Sequence, residues 1–111
     1  MMSPERYRAL RHAWIECRAA AHSSDLNRLA LIYETDKWGS HWYTQHYQRY
    51  FAEWRKRRLK ILEIGVGGYQ NLSDGAQSLR MWKRFFPNAQ IVGVDLYDKS
   101  SLCESRIDVL Q

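Results

Sequence analysis

The residues best placed to do chemistry sit at two abrupt boundaries. The short apolar run Leu59-Lys60-Ile61-Leu62-Glu63-Ile64 stops at Gly65-Val66-Gly67-Gly68, and further along Gln90-Ile91-Val92-Gly93-Val94 stops at Asp95. Glycines closing a buried strand let a ligand approach bare backbone and let the turn take up positive φ. A carboxylate at the end of a neighbouring strand can accept both hydroxyl hydrogens of a ribose. Together they point to a nucleoside ligand at the carboxyl ends of parallel strands, where open α/β sheets bind.

Which nucleoside turns on one position. A dinucleotide fingerprint carries a third glycine three residues after the second, where the helix packs and the pyrophosphate is held. Counted from Gly67 that place is Gln70, and counted from Gly68 it is Asn71. The following helix is expected from about Ala76 to Phe86, after the polar loop Tyr69–Gly75, so no helix N-terminus is expected to face the glycines directly. NAD is therefore disfavoured. S-adenosylmethionine has no pyrophosphate and carries a cationic methionyl part, for which Glu63 is placed as the acidic neighbour.

The elements that must position these residues read as a βαβ unit from Leu59 to Asp95, a right-handed crossover with Leu79, Trp82 and Phe86 turned inward. Arg106–Leu110 begins a third strand. Upstream, Ser3-Pro4-Glu5 is a helix start. Behind it Tyr7, Leu10, Trp14, Cys17 and Ala21 form an apolar stripe, expected to pack on its own domain or, as the alternative, on a partner helix. Ser24 or Asp25 caps a second helix that buries Leu26, Leu29, Ala30 and Tyr33. The segment Thr35–Trp42 reads as a loop. A third helix from Tyr43 puts Tyr43, Tyr47, Tyr50, Phe51 and Trp54 on one face, expected as core contacts. The expected division is residues 1–24, a leading helix; 25–56, a helical lead-in; and 57–111, a partial Rossmann-like domain.

Composition narrows the class. The 111 residues are 45% apolar and 14% aromatic, enough for a core, and no apolar stretch reaches bilayer length. The two cysteines, Cys17 and Cys103, make neither a disulfide scaffold nor a cysteine zinc site, and the chain reads as cytoplasmic. The net charge of +5 permits an anionic partner. Its densest run, Arg55-Lys56-Arg57-Arg58, lies at the C-terminal end of the third helix, where cations offset the helix dipole, so a nucleic-acid patch is the lesser reading. His41 and His46 lie five apart, which on a helix turns them about 140° from each other and precludes a shared metal. A lone loop histidine such as His41 is more readily structural than a general base.

The residues also carry a resemblance. Glu63-Ile64-Gly65-Val66-Gly67-Gly68 resembles motif I of the class I S-adenosylmethionine-dependent methyltransferases, and Val94-Asp95 resembles their acidic second-strand end. Tyr33–Gly39, His41–Thr44, Ser78–Lys83 and Asp95–Ser100 are similar to segments of the macrolide sugar O-methyltransferases of macrocin and mycinamicin type. The resemblance implies an α/β fold: N-terminal helices, then the first βαβ(β) part of a Rossmann-like class I methyltransferase sheet. It implies S-adenosyl-L-methionine bound through Glu63, Gly65, Gly67 and Asp95, with Ser78 and Tyr43 as pocket wall, and a small-molecule hydroxyl as acceptor. Mg2+ belongs to the complete family fold, but its acidic ligands and the family's catalytic histidine have no counterpart here, so neither catalytic residues nor metal ligands are assigned.

In the family the sheet order is 3-2-1-4-5-7-6, and this chain supplies the 3-2-1 edge. The expectation is a truncated methyltransferase with half of the cofactor crevice and with one edge of its first strand unpaired. Such an edge invites a homo-oligomer or a complementing chain. A non-catalytic interaction module derived from a methyltransferase is the alternative.

Overall fold

A computed structural model describes residues 1–111. In chain order the elements are α1 (Pro4–Ala21), α2 (Leu26–Ile32), α3 (Thr44–Phe51) with a 3-10 turn at Ala52–Trp54, β1 (Lys60–Ile64), α4 (Gln77–Phe85), β2 (Gln90–Val94), a 3-10 turn at Ser100–Leu102, and β3 (Ile107–Leu110). No helix is long and apolar enough to cross a membrane.

The starts of α1 and α2 follow from side chains that satisfy free backbone donors. Ser3 accepts from the Arg6 N–H at 3.2 Å, and Asp25 accepts from the Arg28 N–H at 3.1 Å. The end of α4 is closed from a distance. The Arg106 guanidinium donates to the carbonyls of Lys83, Phe86 and Ala89 at 2.9, 3.0 and 2.9 Å. Lys83 O is one of the carbonyls a helix leaves unpaired, the other two lie in the turn that leads into β2, and a cation there also offsets the dipole.

The sheet is parallel throughout in the order β1-β2-β3, with Lys60 opposite Gln90, Ile64 opposite Val94 and Ile91 opposite Ile107. This is the expected 3-2-1 edge. Because side chains alternate along a strand, Ile91, Ile107 and Val109 share the face that packs under α4 with Leu79, Trp82 and Phe85, all buried. Gly93 lies on that face for a steric reason. A Cβ there would come within 2.5 Å of Val66 Cγ1 and 2.7 Å of Leu79 Cδ1. The opposite face carries no helix, so Leu62, Ile64 and Leu110 stand 63%, 83% and 55% exposed, and the outer edge of β1 is unpaired.

The helices overturn part of the pattern reading. The α2 face is as expected, with Leu26, Leu29, Ala30 and Tyr33 buried. The α1 stripe does not pack on its own domain: Tyr7, Leu10 and Trp14 are 63%, 58% and 60% exposed. Amphipathicity marks a face that can be buried without saying what is there to bury it. What anchors α1 is its last turns, through Ile15 and Ala19 against the core and through Glu16. Glu16 accepts from the Tyr33 hydroxyl at 2.9 Å and from Arg84. Burial alone would raise its carboxyl, but the bonds from Arg84 and Tyr33 outweigh burial and hold it below the ordinary value. Burial, reinforced by the Glu16 carboxylate, pushes the Tyr33 hydroxyl up to about 12.

The aromatic face of α3 is likewise only partly internal. Tyr47 and Phe51 stack at 5.5 Å and meet Trp82 edge-on at 5.5 and 6.1 Å. Tyr43, Tyr50 and Trp54 remain exposed. In the basic run, Arg55 turns inward and donates to the Ser23 carbonyl and hydroxyl at 3.3 and 3.1 Å, tying the run to the α1–α2 bend. Both cysteines are free.

Candidate cofactor site at the strand ends

The carboxyl ends of β1 and β2 open into a cleft of about 910 Å³, bordered by the glycine turn, the residues after β2, the first turn of α4 and the loop after α2. The turn is held from below. Gly65 N–H donates to Val94 O at 2.7 Å, extending the strand pairing, and Val66 N–H donates to Asp95 Oδ2 at 3.0 Å. The other carboxylate oxygen accepts from Tyr97 N–H at 3.1 Å. These two backbone donors, Val66 first, hold the Asp95 carboxyl below the usual aspartate range. Each oxygen keeps a second lone pair, so the carboxylate can still accept from two hydroxyl groups.

Gly65 sits at φ +83° with no atom within 4 Å of where a Cβ would be, so its outer side is open to the cleft. The neighbouring glycines serve the fold instead. A Cβ on Gly68 would come within 2.9 Å of Lys99 Nζ, and one on Gly75 within 2.6 Å of Gly67 O. The loop thereby folds back on itself, and Ala76 N–H reaches Val66 O at 2.7 Å. This overturns the expectation for α4. Its first residues, Gln77 and Ser78, line the same cleft as the glycines, and Gln77 Oε1 lies 3.8 Å from the Cβ position of Gly67.

Glu63, Gly65, Gly67, Ser78 and Asp95 all border this one cleft, whereas Tyr43 does not. The Tyr43 ring stacks on His41 at 5.2 Å. His41 itself is exposed, with Nε2 3.4 Å from an Asp36 carboxylate oxygen. Glu63 is not a free acid. One oxygen is 3.1 Å from Lys37 Nζ and the other accepts from Trp82 Nε1 at 2.7 Å, with the side chain only 13% exposed. It couples the loop after α2 to the glycine motif, and its charge is balanced within the protein. Lys37, Gln77 and Lys99 were not picked out by sequence pattern. Lys37 and Lys99 do lie in stretches, Thr35–Gly39 and Asp95–Ser100, whose family resemblance marks them as more than solvated loop. No group of three or more His, Cys, Asp or Glu side chains is arranged to hold a metal ion.

Known proteins resemble the chain in sequence and in fold. The chain is 46% identical over 94 residues to the 8-demethyl-8-(2-methoxy-alpha-L-rhamnosyl)-tetracenomycin-C 3'-O-methyltransferase of Streptomyces olivaceus, covering 84% of this chain and 24% of that one. It is 54% identical over 84 residues to the demethylmacrocin O-methyltransferase of Streptomyces fradiae, covering 75% of this chain and 21% of that one. Among solved structures, the MycE methyltransferase of the mycinamycin biosynthetic pathway, in complex with Mg, SAH and mycinamycin VI, superposes with a TM-score of 0.75 at 50% identity, over 78% of this chain and 24% of that one. This chain is a homologue of those sugar and macrolide O-methyltransferases. It spans about a quarter of the length of the relatives it matches. No protein-family model matches it.

Proposed function

We propose that this chain forms the S-adenosylmethionine-binding side of an O-methyltransferase whose acceptor is a sugar hydroxyl on a natural product. One juxtaposition carries the reading: Gly65, with open space where a Cβ would stand, beside Asp95, whose carboxylate is fixed by Val66 and Tyr97 and retains free lone pairs. The bare backbone of Gly65 and Gly67 passes the methionine and ribose portion, Asp95 takes the ribose hydroxyls, and Ser78 closes the wall at the first turn of α4. Glu63 acts by bracing Lys37 against the motif. Tyr43 lies off the cleft and is left out of the set.

When bound, the cofactor supplies a sulfonium methyl that an acceptor oxygen must approach in line, so the protein's task is chiefly positioning. A sugar hydroxyl needs a base or a metal to react at neutral pH. The residues here do not form a magnesium site. Calorimetric titration with S-adenosylhomocysteine, with NAD as control, tests the proposal. Saturable binding is expected, lost in Asp95→Ala and without response to NAD. No heat from the folded chain, or equal binding of NAD, refutes it.

The open edge favours one further reading. Ile64 and Leu62 beside an unpaired β1 call for a segment that pairs with the strand and covers its bare face, supplied by another copy or a complementing chain. Light scattering over a concentration series, with Ile64→Lys as control, distinguishes these sources. Concentration-dependent mass that the variant abolishes supports self-pairing, and a monomer throughout leaves only the complementing chain.

A further inference from the structure

Lys99 is buried although polar neighbours, Asp98 and Ser100, flank it in the sequence. The residue is 1% exposed, and no carboxylate lies within ion-pair distance of it. A buried ammonium is tolerated only when its hydrogens are all taken up. Here they are: Nζ donates to the carbonyl oxygens of Gly67, Asn71 and Asp74, the last two at 3.1 and 2.9 Å.

Three carbonyls from one loop seldom converge, because their dipoles repel. They meet here because the backbone turns through left-handed conformations at Gly67, Gly68 and Tyr69, with φ of +84°, +77° and +46°. Tyr69 has no glycine's freedom there, so the conformation is held by its surroundings and not by local preference. The cation supplies that hold. A second strap comes from the same turn, where Ser101 Oγ donates to Leu72 O at 3.2 Å. Lys99 itself does not border the cleft, whereas Gly67, whose oxygen it grips, does.

We propose that Lys99 is a positioning residue that fills a cage of backbone carbonyls and so sets the shape of the glycine loop on which cofactor affinity depends, without touching the cofactor. The inference rests on the cofactor reading above for its effect on affinity, but its structural half stands independently. Lys99→Ala removes a group equivalent to propylammonium, and Lys99→Met keeps the packing while deleting the charge.

In Lys99→Ala, S-adenosylhomocysteine affinity is expected to fall roughly tenfold, as for a coupled residue outside the ligand contact. Added n-propylammonium is expected to restore it saturably, while n-propanol and tetramethylammonium do not. Amide hydrogen exchange without ligand gives the independent readout. Asn71 and Asp74, whose N–H groups bond to Gly68 and Asn71 at 3.0 and 3.1 Å, should exchange faster in Lys99→Met while the strands keep their protection. Wild-type protection of those amides in Lys99→Met overturns the proposal, as does an affinity loss in Lys99→Ala that propylammonium does not reverse. If the wild-type chain binds no S-adenosylhomocysteine, the cofactor reading fails, and the exchange result alone then decides whether Lys99 holds the loop.

Discussion

Adding one methyl group at Gly68 or at Gly65 should have opposite consequences, although both residues belong to the same motif and both have positive φ. At Gly68 the new Cβ would stand 2.5 Å from the carbonyl carbon of Asp74 and 2.9 Å from Lys99 Nζ, at φ +77°. The left-handed conformation alone costs an alanine about 1–2 kcal/mol. Pushing the Asp74 backbone aside adds an overpacking cost of about 1–3 kcal/mol, since no flexible side-chain end can yield. The sum, roughly 2–5 kcal/mol, is a large fraction of what a domain of this size has to lose. It corresponds to a melting point lower by roughly 10–20 °C, given an unfolding entropy of about 2.1 cal/mol/K per residue. At Gly65 the Cβ would meet nothing within 4 Å, so only the conformational cost of about 1–2 kcal/mol applies. The same methyl, however, projects into the cleft where the cofactor backbone should pass. Urea denaturation and S-adenosylhomocysteine titration of Gly65→Ala and Gly68→Ala separate the two. Gly65→Ala should keep most of its stability and lose binding, and Gly68→Ala should lose most stability. Equal destabilisation by the two substitutions, or full binding by Gly65→Ala, would refute the reasoning.

Two further predictions concern the fold. Because the folded Asp95 carboxyl lies below its ordinary value, its contribution is complete above the unfolded value of about 3.9 and is lost as pH falls through the lowered folded one. The stability gap between wild type and Asp95→Asn, followed by urea midpoint, should therefore narrow below about pH 4; a gap independent of pH would show that the carboxylate bonds do not count. Leu29→Ala, at a fully buried site in α2, should cost about 2–5 kcal/mol in the same assay, while Trp14→Ser on the exposed stripe of α1 should stay within about 0.5 kcal/mol. A large loss in Trp14→Ser would mean that the stripe is covered in solution.

What was legible in the sequence is what local pattern controls. The strand-to-glycine boundary at Ile64-Gly65, the inward Leu79 and Trp82 and the acid at the end of β2 each announce themselves within a few residues, and all fall where expected. The partners of those residues were not legible. Glu63 reads as an acid free to attract a cation, yet Lys37 and Trp82, distant in sequence, take both of its oxygens. Nothing local marks Lys99 as buried, and only the left-handed run from Gly67 to Tyr69 creates the carbonyl cage that takes it up. The α1 stripe has the right period and no core to meet, and the late start of α4 hides how far the preceding loop folds back. In each case the deciding factor was non-local, a contact or the lack of one that no local signal carries.

The decisive experiment is a titration of the isotope-labelled chain with S-adenosylhomocysteine, followed residue by residue in amide NMR spectra. If the cleft is a cofactor site, saturable shifts should concentrate at Gly65, Val66, Gly67, Ser78 and Tyr97 and leave the exposed turns of α1 unmoved. Absence of shifts in a well-dispersed spectrum, or shifts centred on the basic run from Arg55 to Arg58, would contradict it.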